Sequence, residues 1–119
     1  WCVGWVWTDF SFSYEQKQLQ ELARKFTKEE IIPKAEHHDR TGEFPMEITK
    51  KAWELGLMNV HIPAEYGGAG LNTLDNCIIS EEMAYGCSGI GLPMEANTLG
   101  MFPVLIAGNE DQKKKFLGQ

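Results

Sequence analysis

The chain has 119 residues, 43% of them hydrophobic and 24% charged, and a formal net charge of −6. That length suits one domain with a modest core, burying roughly two-thirds of the unfolded chain's surface. Residues 52–112 contain no Lys or Arg but hold Glu54, Glu65, Asp75, Glu81, Glu82, Glu95, Glu110 and Asp111, which excludes a phosphate-gripping nucleic-acid surface in that half, and no uninterrupted apolar run reaches the ~18 residues of a membrane span.

Residues 1–9, "WCVGWVWTD", alternate Trp1, Val3, Trp5 and Trp7 as a strand edge would. This atypical leader reads either as a non-native addition or as an adhesive β-edge that promotes association. It lacks the Arg and Ser bias of a transit peptide. Residues 10–119 read as one helical domain, all-α, with about five to seven short helices.

Ser13 opens the first helix, with Gln16 placed for a capping box. Leu19, Leu22, Ala23 and Phe26 form its apolar stripe. Pro33 breaks or restarts it. A short second helix, about 34–40, ends at Gly42. Pro45 reads as the first residue of a third, whose stripe is Ile48, Ala52 and Leu55 and which stops at Gly56.

The stretch "LMNVHIPAEYGGAGL", 57–71, reads as an extended piece followed by a glycine turn. A fourth helix over about 73–85 puts Leu74, Cys77, Ile78, Glu81 and Tyr85 on one face and stops at Gly86. "AYGCSGIGLPMEANTLGMFPVLIAGNE" then supplies a fifth helix and, after Pro103, a sixth. Asn109 caps a last helix holding Lys113, Lys114 and Lys115.

Several residues invite a chemical reading. The turn "YGGAGL" is an incomplete phosphate loop, since a dinucleotide fingerprint needs a strand before it and correctly spaced glycines. His37, His38 and Asp39 are metal-ligand types, but adjacent residues on a helix point about 100° apart. His61 stands alone, as a solvated or core-capping residue. Cys2, Cys77 and Cys87 have no C-x-x-C spacing, which argues against zinc or a disulfide framework and for a reducing compartment. Cys77 and Cys87, with no cation near in sequence, read as packing residues. Of Glu81 and Glu82, one should be exposed and the other buried at an interface.

Glu95 carries the sharpest question. Between Cys87 and Gly108 the strongly polar side chains are Glu95 and Asn97 alone. If Pro93 opens a helix, Glu95 is its third residue, where a carboxylate satisfies backbone donors. Equally, it is a carboxylate on the wall of an apolar pocket. Ile90, Leu92, Met94, Leu99, Met101, Phe102, Val104, Leu105 and Ile106 are apolar all round, so this region expects burial on several sides.

The blocks "ARKFTKEEIIPKAEHHDRTGEFP", "AWELGLMNVHIPAEYGGAGL", "ISEEMAYGCSG" and "NTLGMFPVLIAGNEDQKKKFL" resemble, in order, the N-terminal helical domain of the acyl-CoA dehydrogenases, and the medium-chain branch most of all. The resemblance covers residues 10–119. It implies a flavoenzyme that introduces a double bond between Cα and Cβ of a fatty acyl-CoA in β-oxidation, with FAD as hydride acceptor and an electron-transfer flavoprotein as partner. It also implies a homotetramer in the mitochondrial matrix, and β-rich middle and C-terminal helical domains that this sequence does not contain. The catalytic glutamate and most FAD contacts belong to those domains, so no catalytic or confident cofactor-binding residue is expected here, and the piece alone should be inactive.

By the same resemblance, Gly91, Glu95 and Leu99 line the fatty-acyl end of the substrate cavity. Gly91 stands where medium-chain members have a glutamine, and Pro93 replaces a smaller residue, which bears on chain-length preference. A different reading of the same residues is a non-catalytic truncated isoform, acting as an interaction or lipid-binding helical module.

Overall fold

The computed structural model describes residues 10–117; the Trp-rich leader and Cys2 lie outside that range. Six α-helices are formed among the described residues: α1 Tyr14–Phe26, α2 Ile32–Thr41, α3 Met46–Glu54, α4 Thr73–Gly86, α5 Ser88–Ala107 and α6 Glu110–Leu117. The all-α architecture expected from the sequence is what is found, with no strand among those residues.

The capping chemistry explains most boundaries. Ser13 accepts from the Gln16 amide at 3.1 Å, and the Gln16 side chain returns the bond to the Ser13 amide at 3.0 Å. Asn72 with Asp75 and Asn109 with Gln112 repeat this reciprocal pattern at α4 and α6. Gly42 and Gly56 follow α2 and α3 with φ of 68° and 69°, the left-handed conformation that costs a glycine nothing. Pro45 precedes α3 as its N-cap rather than opening it.

Pro33 restarts the helix, as one of the two expectations had it: it stands in the first turn of α2. The chain passes from α1 to α2 through one widened π turn, Thr27–Ile31, in which the Ile32 amide donates to the Thr27 carbonyl. The wider turn eases the clash a proline ring makes with the carbonyl four residues back. Pro93 and Pro103 depart from the sequence expectation: α5 is one helix of 20 residues with both inside it, not two. Pro103 forfeits the bond to the Leu99 carbonyl, and Leu99 is 68% exposed, so water can take the donor's place. Fused in this way, α5 is long and apolar enough by length and composition to cross a bilayer. It instead lies against α4, with Ile90, Gly91, Met94 and Thr98 buried.

The main core joins α1, the π turn, α3, α4 and α5 through Ala23, Phe26, Ile31, Ile48, Ala52, Leu57, Val60, Ile79, Met83, Ile90 and Met94. A smaller cluster of Ile62, Tyr66 and Leu117 ties the 57–71 segment to α6, and the Tyr66 hydroxyl donates to Glu110 at 2.9 Å.

Three apolar faces are reassigned. On α4 the buried residues are Asp75, Ile78, Ile79, Glu82 and Met83; Leu74 and Tyr85 face outward at 50% and 77% exposure. Cys77 is exposed rather than packed, while Cys87 does pack against the core. On α3 Leu55 is exposed, and on α1 Leu22 is too. The 57–71 segment is a chain of turns with a short 3₁₀ element, Ala64–Tyr66, not an extended piece. Its ends are held by bonds from the Leu71 amide to the Val60 carbonyl, 2.7 Å, and from Gly70 to Ile62, 2.8 Å.

Candidate functional site

The candidate residues lie along α5. Gly91 is buried, and a Cβ on it would come to 4.0 Å from the Ala84 amide nitrogen of α4. Glu95 is half-buried, and Leu99 is exposed. The three residues are four apart, so they follow one another along one side of the helix, turning from the packed flank at Gly91 to the open flank at Leu99.

Glu95 is not a helix cap. With α5 starting at Ser88, Pro93 is interior and Glu95 lies two turns in, beyond the free amides of the first turn. Its carboxylate instead faces the Ser80 hydroxyl across the α4–α5 seam, and that one O–H is shared between Glu95 Oε1 and the Asn76 carbonyl. The reading of Glu95 as an N-terminal cap is therefore overturned.

The sequence missed the polar groups that meet α5. His61 stacks on Phe102 with ring centroids 4.5 Å apart and an interplanar angle of 17°. Burial holds the His61 imidazole below its ordinary pKa, while the Glu95 charge pushes it back up. Two residues before it, Asn59 is buried, with a φ of 54°, a left-handed conformation that asparagine tolerates. Asn97 donates to the Asn59 Oδ1 at 3.1 Å. The legible signal was the pair Asn59 and His61 inside an apolar run; their meeting with α5 was not legible.

The remaining candidates resolve simply. The glycine-rich turn packs on its own backbone: a Cβ on Gly68 would stand 2.0 Å from the Ile62 carbonyl oxygen. That turn is not a phosphate cradle, and no cation lies nearby in sequence, so these residues do not fit the pyrophosphate of a dinucleotide. His37 pairs with Glu43 at 3.2 Å, and His38 with the Glu43 carbonyl at 2.8 Å. No group of metal-ligating side chains converges among the described residues. Glu81 is exposed and Glu82 buried, the division expected.

A cavity of about 440 Å³ opens between Trp53, Asn59, Tyr66 and Leu117, and Gly91, Glu95 and Leu99 do not border it. Around Leu99 the helix instead shows a bare row, with Leu92, Leu99, Phe102 and Ile106 all exposed. Chemically, that row offers an apolar wall with one fixed carboxylate beside it.

Residues 13–119 match the model of the acyl-CoA dehydrogenase N-terminal domain. The chain is 49% identical over 109 residues to a probable medium-chain specific acyl-CoA dehydrogenase of Caenorhabditis briggsae, described as mitochondrial, covering 92% of this chain and 27% of that relative. It superimposes on a glutaryl-coenzyme A dehydrogenase solved with glutaryl-CoA at a TM-score of 0.87 and 35% identity, covering 93% of this chain and 29% of that one. An acyl-CoA dehydrogenase of Bacillus anthracis solved with FAD gives a TM-score of 0.85 at 34% identity, covering 95% of this chain and 19% of that one. The chain thus spans less than a third of the length of these relatives.

Proposed function

The chain belongs to the acyl-CoA dehydrogenase family, and from that premise we propose that it is the N-terminal helical domain of a FAD-dependent, medium-chain-like enzyme that oxidises fatty acyl-CoA between Cα and Cβ. The observation that carries this reading is the bare apolar row of α5, with Glu95 as its one carboxylate. A helix with so little charge, exposed on one side, expects an apolar neighbour. In this reading one part of that neighbour is the acyl chain and the rest is protein from the other domains.

Within that pocket the residues of this chain bind and orient; they move no proton at the reacting carbons. Leu99 and its apolar neighbours pack against methylenes, each buried CH₂ contributing about 0.8 kcal/mol. Gly91 stands at the packed end of that row, on the flank against α4. Glu95, held by Ser80, marks where the apolar wall ends. FAD, when held by the other domains, supplies the hydride acceptor. A mitochondrial site, a tetrameric assembly and an electron-transfer flavoprotein partner belong to the same proposal.

The test has two parts. The purified chain supplied with FAD is expected to stay colourless and inactive. Grafted in place of the matching segment of the Caenorhabditis briggsae relative, it should give a yellow enzyme that oxidises octanoyl-CoA. A graft that folds and holds flavin but oxidises no acyl-CoA would overturn the proposal.

A further inference from the structure

Trp53, in the last turn of α3, keeps about half of its surface open, 49%. Two hollows share its side chain. The larger, about 440 Å³, is bordered by Trp53, Asn59, Tyr66 and Leu117. The smaller, about 330 Å³, lies between Trp53 and Thr49 of α3 and Asn97 of α5. Met58 borders both as well. Each has the size of a small-molecule site, about 300–1,000 Å³.

A pair of amides joins the two hollows. Asn59 borders the larger and Asn97 the smaller, and Asn97 Nδ2 donates to Asn59 Oδ1 at 3.1 Å. That bond fixes which way each amide is turned. It leaves Asn59 Nδ2 as a donor and Asn97 Oδ1 as an acceptor. Asn59 is 6% exposed, and its Nδ2 is buried without a hydrogen-bond partner among the described residues. Buried donors seldom stay unpaired, because each forfeits its hydration. The Asn97 bond to Asn59 uses its nitrogen alone, so its oxygen is open to a donor.

These features describe a ligand. Trp53 and Tyr66 offer aromatic surface and Met58 a thioether, walls that suit a flat ring. The free donor and acceptor call for an acceptor and a donor side by side on the rim of that ring. No net charge is called for, since Lys50 and Glu54 border the smaller hollow with opposite signs. We propose that the groove along Trp53 binds a neutral heteroaromatic ring carrying a hydrogen-bond acceptor next to a donor, as an aromatic carboxamide and the adenine edge both do. Asn59 donates to the acceptor and Asn97 accepts from the donor. This site is separate from the proposed acyl pocket, because Glu95 and Leu99 border neither hollow.

Nicotinamide and adenosine are the probes, titrated into the nitrogen-labelled 119-residue chain. NMR follows the Trp53 indole N–H and the side-chain amides of Asn59 and Asn97. Each probe has a counterpart that lacks the donor: methyl nicotinate for nicotinamide, purine riboside for adenosine. At least one probe is expected to move these signals along a single saturating curve. It should bind about tenfold more tightly than its counterpart, the worth of one hydrogen bond. Which probe does so tells a carboxamide site from an adenine site. If each probe and its counterpart bind alike, the hollows take up an adventitious additive only, and the proposal is overturned. Signals that stay still up to the solubility limit of both probes overturn it equally.

Asn97→Leu removes the acceptor from an exposed position of α5. In that variant the preferred probe and its counterpart should bind with equal strength. A preference that survives the substitution would overturn the role given to Asn97. The comparison of probe with counterpart on the unaltered chain does not depend on how that variant folds.

Discussion

Arg24 on α1 grips Glu82 on α4 through two hydrogen bonds, Nε to Oε2 at 3.0 Å and Nη2 to Oε1 at 2.5 Å. The two ends differ in exposure: the arginine side chain is 52% exposed and the carboxylate 9%. Glu82 is thus a buried charge whose solvation is largely replaced by one guanidinium. The pair also raises the Arg24 pKa.

That asymmetry ranks two substitutions. Arg24→Gln strands a buried carboxylate, whereas Glu82→Gln leaves a neutral amide that still accepts from the arginine. Arg24→Gln should therefore lower the Tm more than Glu82→Gln in a circular-dichroism melt. Equal losses would mean that the carboxylate finds water instead.

Glycines at two places on the paired helices should respond with opposite signs. A Cβ on Gly86 would meet Thr27 Cγ2 at 2.4 Å and Ile31 Cγ2 at 3.1 Å, both in the buried π turn. Gly86→Ala should cost about 1–3 kcal/mol by overpacking. A Cβ on Gly100 meets nothing within 4 Å, so Gly100→Ala should stabilise by about 0.5–1 kcal/mol through lost backbone freedom in the unfolded chain. Urea titration of the two variants measures both signs.

Gly68→Ala should be worse than Gly86→Ala. The obstacle is backbone as well as side chain, with the Ile62 carbonyl oxygen at 2.0 Å and Ile62 Cβ at 2.4 Å from the added carbon. The 62–70 turn must open to admit it, releasing the Gly70–Ile62 hydrogen bond. Faster amide exchange at Gly70 in the variant is the expected observation, and unchanged exchange would contradict it.

Acid should destabilise the chain in two steps. His61 has a folded pKa below its ordinary 6.5, so the unfolded state binds its proton first, and the stability it contributes is present above 6.5 and lost as pH falls through that range. Glu30 is held below its ordinary 4.5 mainly by its hydrogen bond from Lys51 and then by that from Lys34. Its contribution is present above 4.5 and lost as pH falls through the lower folded value. In urea midpoints against pH, His61→Gln should flatten the upper limb only, and Lys51→Met should weaken the lower one.

Local chemistry was legible wherever a signal sits within one turn of its effect. The Ser13–Gln16 box, the Asn109 cap and the left-handed glycines at 42 and 56 are of that kind. Pro93 and Pro103 were misread because a proline's cost depends on whether the freed carbonyl reaches water, and that depends on which side of the helix faces solvent. The face of α4 was misread because its apolar residues run nearly all round it, so periodicity could not choose. Asp75 shows the choice being made by packing: besides capping α4, it accepts from the Gln16 side chain of α1 at 3.1 Å.

What the sequence by itself determined is the helical class, the caps and turns, the family resemblance, and a greasy stretch holding one carboxylate. These follow from propensity, hydrogen-bonding reach and residue pattern over a few positions. Only the tertiary structure decided that α5 is one helix, that Glu95 is held by Ser80 rather than capping a helix end, and that His61 stacks on Phe102. Those relationships join residues 15 to 41 positions apart in the chain, from Ser80–Glu95 to His61–Phe102, and nothing local fixes them. They exist because burying the α1, α4 and α5 faces together leaves one arrangement in which the polar groups between them are mostly satisfied.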